Sequence, residues 1–190
     1  WMGLIDLTSS VQIQRGLGST SLAVPSAGGT VSVNTRAAEV DPGSGIKMSI
    51  GDNSYQKFTA FHNTGVNELG WSSSFLLGFW QGDGWRNGMQ GEGTTYAFSV
   101  GYTPRGGDHE FNFSLIGAGQ WHHQAYYGTQ LQDYLDYGPI QGDDYRKFNA
   151  LYGDYQGEEF SILRNYYNKP LATFNWDWEI SSRVTLATSL

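Results

Sequence analysis

Residues 94–102, TTYAFSVGY, put Tyr96, Phe98, Val100 and Tyr102 on one side of an extended chain and Thr95, Ala97, Ser99 and Gly101 on the other. The same period of two recurs along the chain. In HEFNFSLIGAG (109–119), Phe111, Phe113 and Leu115 oppose Glu110, Asn112 and Ser114. In ATFNWDWEI (172–180), Phe174, Trp176, Trp178 and Ile180 oppose Thr173, Asn175, Asp177 and Glu179. In 69–79, Leu69, Trp71, Phe75, Leu77 and Phe79 oppose Gly70, Ser72, Ser74 and Gly78; residues 46–50 repeat the pattern briefly and 184–190 weakly. This predicts β-strands with one large apolar face. Soluble sandwiches also alternate, but here the opposite face carries Gly, Ser, Ala and Asn more than Lys and Glu, which suits a crowded or wet lumen. Runs of ten or more residues also exceed the usual strand of about five or six and match the length that crosses a bilayer at a tilt.

Composition narrows the class further. Among 190 residues, 26 glycines beside 15% aromatics and only 15% charged residues favour turns and close backbone approach over helices. Seven Trp and 12 Tyr suggest rings at an interface, with lipid or with a ligand. The net charge is −7 and the 11 basic residues are scattered, so nothing resembles a nucleic-acid stripe. The absence of cysteine removes disulfides, thiolate metal sites and thiol catalysis. The longest clean apolar block, FLLGFW at 75–80, is far short of the ~18 residues of a membrane helix. The signal of a membrane β-barrel, by contrast, is about ten residues of alternation per strand.

The connectors differ in length. Asn53-Ser54, 65–68, 104–108 and 181–183 are short, 82–91 is longer, and 120–171 is very long. Short turns at one end and long loops at the other are the habit of outer-membrane barrels. The expected strands are 45–52, 55–65, 69–81, 92–103, 109–120, 172–181 and 184–190, about seven in all.

Residues 11–36, VQIQRGLGSTSLAVPSAGGTVSVNTR, have roughly the form V-E-V-x-R-G-x-x-S…G-S-x-A-x-G-G-x-I-N-I-x-T. Through Val11, Ile13, Arg15, Gly16, Ser26, Ala27, Gly28, Gly29, Val31, Val33 and Thr35, the chain resembles a TonB-dependent outer-membrane receptor, the Gram-negative importers of which SusC-like proteins are one branch. Gln14 departs near the usual acidic position, and Val24-Pro25 stands where a Tyr-Gly pair is common. GIKMSIGDNSYQKF resembles the family's first barrel hairpin, and DGWRN, QWHHQ and YNKP resemble shorter family elements.

The resemblance implies an all-β fold. Residues 1–38 would be the C-terminal part of a plug domain. Residues 39–190 would be the first strands of a transmembrane antiparallel β-barrel, with a long extracellular loop near 120–171. Plugged transporters have 22 strands, so about seven form part of a larger wall, with Leu190 in mid-strand. It further implies TonB-dependent active import of a large or scarce solute (siderophore, vitamin, glycan or peptide) across the outer membrane, with no enzymatic activity and no cofactor. The implied partners are membrane lipid, the TonB complex through an N-terminal box outside this chain, and, in the SusC-like branch, a surface lipoprotein lid. Connectors 82–91 and 120–171 become extracellular. The alternatives are a soluble carbohydrate-binding β-sandwich with exposed aromatics, and a small autonomous barrel of structural or adhesive role.

In the plug reading, Gly16, Gly18, Gly28 and Gly29 allow close approach to the wall, and Arg15 either pairs with a wall carboxylate or is solvated. The candidate ligand surface is Trp121, His122, His123, Tyr126 and Tyr127 in the long loop, with Trp85 and Arg86 in the other outer loop. The same rings would equally pack the loop against itself or form a girdle. His122 and His123, adjacent in a strand, point to opposite faces and do not share a metal ion. The loop carboxylates lack D-x-D-x-D-G spacing, none singles out a hydrolytic pair, and G-x-S-x-G, P-loop and H-E-x-x-H motifs are missing.

Overall fold

The computed structural model describes residues 7–16, 28–126 and 128–190. Gly18, Ser26, Ala27 and Tyr127 therefore lie outside the described residues. The chain opens with an antiparallel pair, β1 (Ser10–Arg15) and β2 (Gly29–Asn34), in which Ile13 faces Val31 and Val11 faces Val33. A 3-10 turn at Ala37–Glu39 leads to β3 (Gly43–Ile50), β4 (Gln56–Asn63), β5 (Trp71–Gly82), β6 (Gly91–Tyr102) and β7 (His109–Gly117). Then follow β8 (Gly119–His123), the helix α1 (Leu131–Gln141), a 3-10 turn at Tyr145–Lys147, β9 (Tyr152–Tyr155) and β10 (Glu158–Ser161). The last three strands are β11 (Arg164–Asn168), β12 (Leu171–Ser181) and β13 (Val184–Ser189).

Nine strands form one antiparallel sheet in the order β13-β12-β7-β6-β5-β4-β3, with β8 extending β7 beside β6, and β11 extending β12 beside β8. The fold is thus all-β, and the sheet is open: β3 and β13 are its edges. The seven expected segments each coincide with strands of this sheet. The expected loop at 120–171 is corrected. Its first and last residues are strand, through β8 and β11, and between them lie α1 and the β9–β10 hairpin. Helix α1 is fixed at its start by a reciprocal cap between Gln130 and Asp133.

The register sorts side chains into two faces. One carries the cross-strand rows Phe58–Phe79, Phe75–Phe98–Leu115, Val100–Phe113–Phe174 and Trp71–Tyr102–Phe111–Trp176. The other carries Asn63–Ser74–Ser99–Ser114–Thr173 and Ser72–Gly101–Asn112–Asn175. The chemistry of burial is inverted relative to a water-soluble sheet. Phe75 is 45% exposed, Leu77 53% and Phe98 44%, whereas Ser74 is 1% and Thr95, Ser99, Asn112 and Ser114 are each 3% exposed. Among the described residues no second sheet of comparable size covers the aromatic rows. From Trp71 to Phe79 the apolar face runs about 27 Å along β5 at ~3.4 Å per residue.

What covers the small-residue face is the chain that precedes β3. Leu7 joins Leu76, Ala97 and Ile116 in one buried cluster, with Phe61 at its edge. The Ala37 N–H donates to Asn112 Oδ1 at 3.3 Å, inside a network in which Ser99 Oγ donates to the same oxygen at 3.1 Å and Asn112 Nδ2 donates to Ser114 Oγ at 3.0 Å. Arg36 Nη1 pairs with Asp177 of β12 and, at 3.4 Å, with Glu110 of β7. Asn63 Oδ1, Ser72 Oγ and Ser74 Oγ, all buried on this face, have no hydrogen-bond partner among the described residues.

These contacts correct the expected latch. Arg15 is exposed at the end of β1 and makes no ion pair with a sheet carboxylate among the described residues. The cation that reaches the sheet is Arg36, which follows the last matched position of the motif, Thr35. Among the described residues a Cβ at Gly16 or Gly28 would meet nothing within 4 Å, so neither presses on the sheet. Gly29, with φ +122°, presses on β1 itself, where a Cβ would fall 3.3 Å from Arg15 Cα.

Candidate functional site

Connections alternate between the two ends of an antiparallel sheet. The turn at 51–55, the connector 83–90 and the segment 124–163 share one end; 64–70, 103–108 and 182–183 share the other. At the turn end, rings continue across four strands. Trp71 stacks on Tyr102 with centroids 4.5 Å apart, Phe111 and Trp176 lie 6.2 Å apart and nearly parallel, and His109 lies 5.4 Å from Trp178.

At the loop end, β5, β6 and the connector between them shape two adjoining cavities. One, of ≈300 Å3, is walled by Tyr55, Trp80, Trp85, Met89 and His122. The other, of ≈390 Å3, is polar and walled by Asp83, Arg86, Asn87, Lys147, Tyr152 and Glu159. Asn53, Gly84 and Trp85 belong to both. Trp80 has the parity of Ser74 and Leu76, so it is the large ring of β5 on the small-residue face. Its seat exists because Gly93 opposite has no side chain: a Cβ there would lie 2.5 Å from Trp80 Nε1 and 2.7 Å from Gln120 Cβ. Burial and a hydrogen bond to the Glu159 carboxylate push the Tyr152 hydroxyl above its ordinary value, so it stays protonated as a donor.

The expected ligand residues divide. Trp85, Arg86 and His122 meet at these cavities, joined by Asn53, Tyr55, Trp80, Lys147, Tyr152 and Glu159, which sequence reasoning missed. Parity along β5 carried the signal for Trp80; nothing local marked Tyr152 or Glu159. Trp121, His123 and Tyr126 do not line them. Trp121 Nε1 donates to Glu92 at 2.9 Å, and the Trp121 ring lies under the Arg164 guanidinium at 4.8 Å. Tyr126 is exposed, and its carbonyl accepts from Arg86 at 3.0 Å. Tyr127 lies outside the described residues.

His123 has both ring nitrogens engaged. Nδ1 donates to the Gly88 carbonyl at 3.1 Å, and Nε2 accepts from Arg164 Nε at 2.8 Å. Burial first, then the Arg164 charge, hold this imidazole below its ordinary value. A histidine neutral in the fold and ordinary when unfolded stabilises the fold above the unfolded value, near 6.5; the contribution is lost as pH falls below it. Acidification through pH ~6 is therefore expected to lower the amide protection factors, exchange rates corrected for the intrinsic pH dependence, in 88–90 and 163–164, and His123→Gln to flatten that pH dependence. An unchanged slope in the variant would remove His123 as its source.

The segment 124–163 is pinned by Asn149, which is fully buried. Its Nδ2 donates to the carbonyls of Asn87 at 3.0 Å and Gln124 at 3.2 Å, and its N–H donates to Gln141 Oε1 at 3.0 Å. Asn149→Ala strands two part-buried carbonyls and is expected to cost about 1–3 kcal/mol of local stability, read as rapid proteolytic nicking within 124–163 while the sheet stays intact. Equal protease resistance would contradict this role. The loop carboxylates are spent locally: Asp133 caps α1, Asp144 pairs with Arg146 at 2.8 Å, and Asp154 accepts from the Gly157 N–H at 2.9 Å. Among the described residues no three His, Asp or Glu side chains gather as a metal site.

No protein-family model, curated protein or solved structure matches the chain.

Proposed function

We propose that this sheet is a sector of the wall of a transmembrane antiparallel β-barrel in the outer membrane, that residues 1–38 are the C-terminal part of a plug domain, and that the whole protein imports a large or scarce solute in a TonB-dependent manner. The observation that carries the reading is the inverted burial. Apolar rings occupy the uncovered face while Ser, Thr, Asn and Gly occupy the covered one, the arrangement required where the outside solvent is lipid. An apolar face of about 27 Å along the strand is of the order of the ~25 Å band of outer-membrane barrels. The stacked rings at the turn end fit an interfacial girdle. Orphaned polar groups on the covered face suit a plugged and hydrated lumen, where water or the rest of a plug satisfies them.

The open edges β3 and β13 pair with further strands in this reading, since no edge is tolerated in hydrocarbon. The motif at 11–36 is the ground for the TonB-dependent family and for the TonB complex as partner; a surface lipoprotein lid over the loop end is proposed on the same ground. The role is transport, with no chemical step on the solute.

A soluble carbohydrate-binding module is the competing reading, and the loop-end cavities favour it equally. Fractionation separates the two. The whole protein is expected in the outer-membrane fraction, resistant to urea extraction, shifting in mobility when heated in detergent, and cross-linking to TonB in energised cells. A monodisperse protein in buffer without detergent would overturn the proposal.

A further inference from the structure

We infer that the paired loop-end cavities form a binding site for a neutral saccharide, with one apolar pyranose face stacked on Trp85 and hydroxyl groups turned toward the polar cavity; this rests on the import reading and names the solute class.

Three features carry the inference. First, the aromatic wall is built for rings. Trp80 lies over the bare backbone of Gly93, and Tyr55 sits against Gly82, where a Cβ would meet Tyr55 Cα and Cδ2 at 3.3 Å. The two rings and Trp85 therefore take up the space that side chains would fill, and form a broad apolar surface in a cavity of ≈300 Å3. Such rings offer a large apolar contact with little rotamer entropy to lose.

Second, the adjoining ≈390 Å3 cavity presents donors and acceptors of both kinds: the amides of Asn53, Asn87 and Gln90, and, with the Tyr152 proton held by Glu159, the Tyr152 oxygen and the remaining lone pairs of the Glu159 carboxylate as acceptors. A polyol needs this mixture, because each hydroxyl both donates and accepts.

Third, the charges nearly cancel. Asp52, Asp83 and Glu159 stand against Arg86 and Lys147. A polyanionic chelate or phosphate would meet three carboxylates, and a polycation two cations; a neutral ligand meets neither penalty.

The test uses the whole protein in mild detergent on an array of neutral malto-, cello-, xylo- and manno-oligosaccharides, with a ferric hydroxamate siderophore and an oligopeptide pool as comparators. At least one neutral glycan is expected to bind. Trp85→Ala and Trp80→Ala should each weaken it roughly tenfold or more, Trp85→Phe should retain most of the affinity, and Trp121→Ala on the opposite face should change nothing. Trp85 is an exposed loop residue, so its variants keep the test valid if Trp80→Ala fails to fold. Capture of no neutral glycan, affinity unchanged in Trp85→Ala, or capture of the siderophore or peptides alone would overturn the assignment. These outcomes leave the import reading in place, since that reading is tested separately, by fractionation, TonB cross-linking and the lipid exposure of the aromatic face.

Discussion

In the proposed barrel, Phe98→Lys and Phe113→Lys, each in the whole protein, are expected to lower the stability of the fold in lipid by about 2–4 kcal/mol, the cost of a cation near the bilayer midplane. Both rings sit in the central rows of the uncovered face, at 44% and 39% exposure. On a water-facing sheet such partly exposed rings would tolerate lysine, with effects within about ±0.5 kcal/mol. The two environments therefore predict different outcomes for the same substitution. The readout is the urea midpoint in vesicles and the yield of the heat-modifiable form. Ser99→Ala, one residue along and on the covered face, removes two bonds of the Ser99–Asn112–Ser114 network and is expected to cost about 1–2 kcal/mol. Lysine variants as stable as the parent protein would show that the aromatic face does not meet lipid.

Asp177→Ala gives the second large effect. Arg36 joins the segment before β3 to two strands that are adjacent in the sheet but distant in sequence, through Asp177 on β12 and Glu110 on β7. The side chains are about four-fifths buried, at 20% exposure for Arg36 and 22% for Asp177, so truncating one partner leaves a poorly solvated charge. Full burial would cost about 3–5 kcal/mol; partial solvent access and the remaining Glu110 reduce this to about 1–3 kcal/mol. The loss is confined to the inner segment, so protease cleavage and amide exchange should rise across 28–42 while β5 and β6 stay protected. Glu110→Ala, whose bond is longer, should do less, and the Arg36→Met/Asp177→Leu pair should recover part of the loss. Uniform loosening of the whole sheet, or none at all, would contradict a latch at this position.

The legibility of the chain follows from the inverted burial of the two faces. In β6 and β7, large residues alternate with small ones because the covered face has no room for more: a Cβ at Gly101 would fall 2.6 Å from Ser72 Oγ. That crowding writes itself into the sequence as Ala97, Ser99 and Gly101 against Phe98 and Val100. In β8 and β11 the pattern fades, because Trp121, His122, His123, Asn165, Tyr166 and Tyr167 are all polar-tipped, so strand reads as loop. Pro170 interrupts the run from β11 to β12 and hides their continuity. The aliphatic residues of helix α1, Leu131, Leu135 and Ile140, are exposed rather than packed, and Gly138-Pro139 lie within it. Its start is set by the Gln130–Asp133 cap and its position by Gln141, whose Nε2 donates to the Asn149 carbonyl at 2.9 Å. Such tertiary contacts leave no period. Arg36 goes unmarked for a related reason: it is the last residue of the quoted run, but the matched positions stop at Thr35 and single out no cation there.

The inversion of the two faces is tested most directly by single cysteines along β6, in a chain with no cysteine of its own. Positions 96 to 101 are replaced one at a time in the whole protein in native outer membranes, then exposed to a lipid-partitioning maleimide and to a small hydrophilic one. The account predicts strict alternation: 96, 98 and 100 react with the lipid reagent alone, and 97, 99 and 101 do not react with it. Labelling of 96, 98 and 100 by the hydrophilic reagent, with no preference for the lipid one, would contradict it.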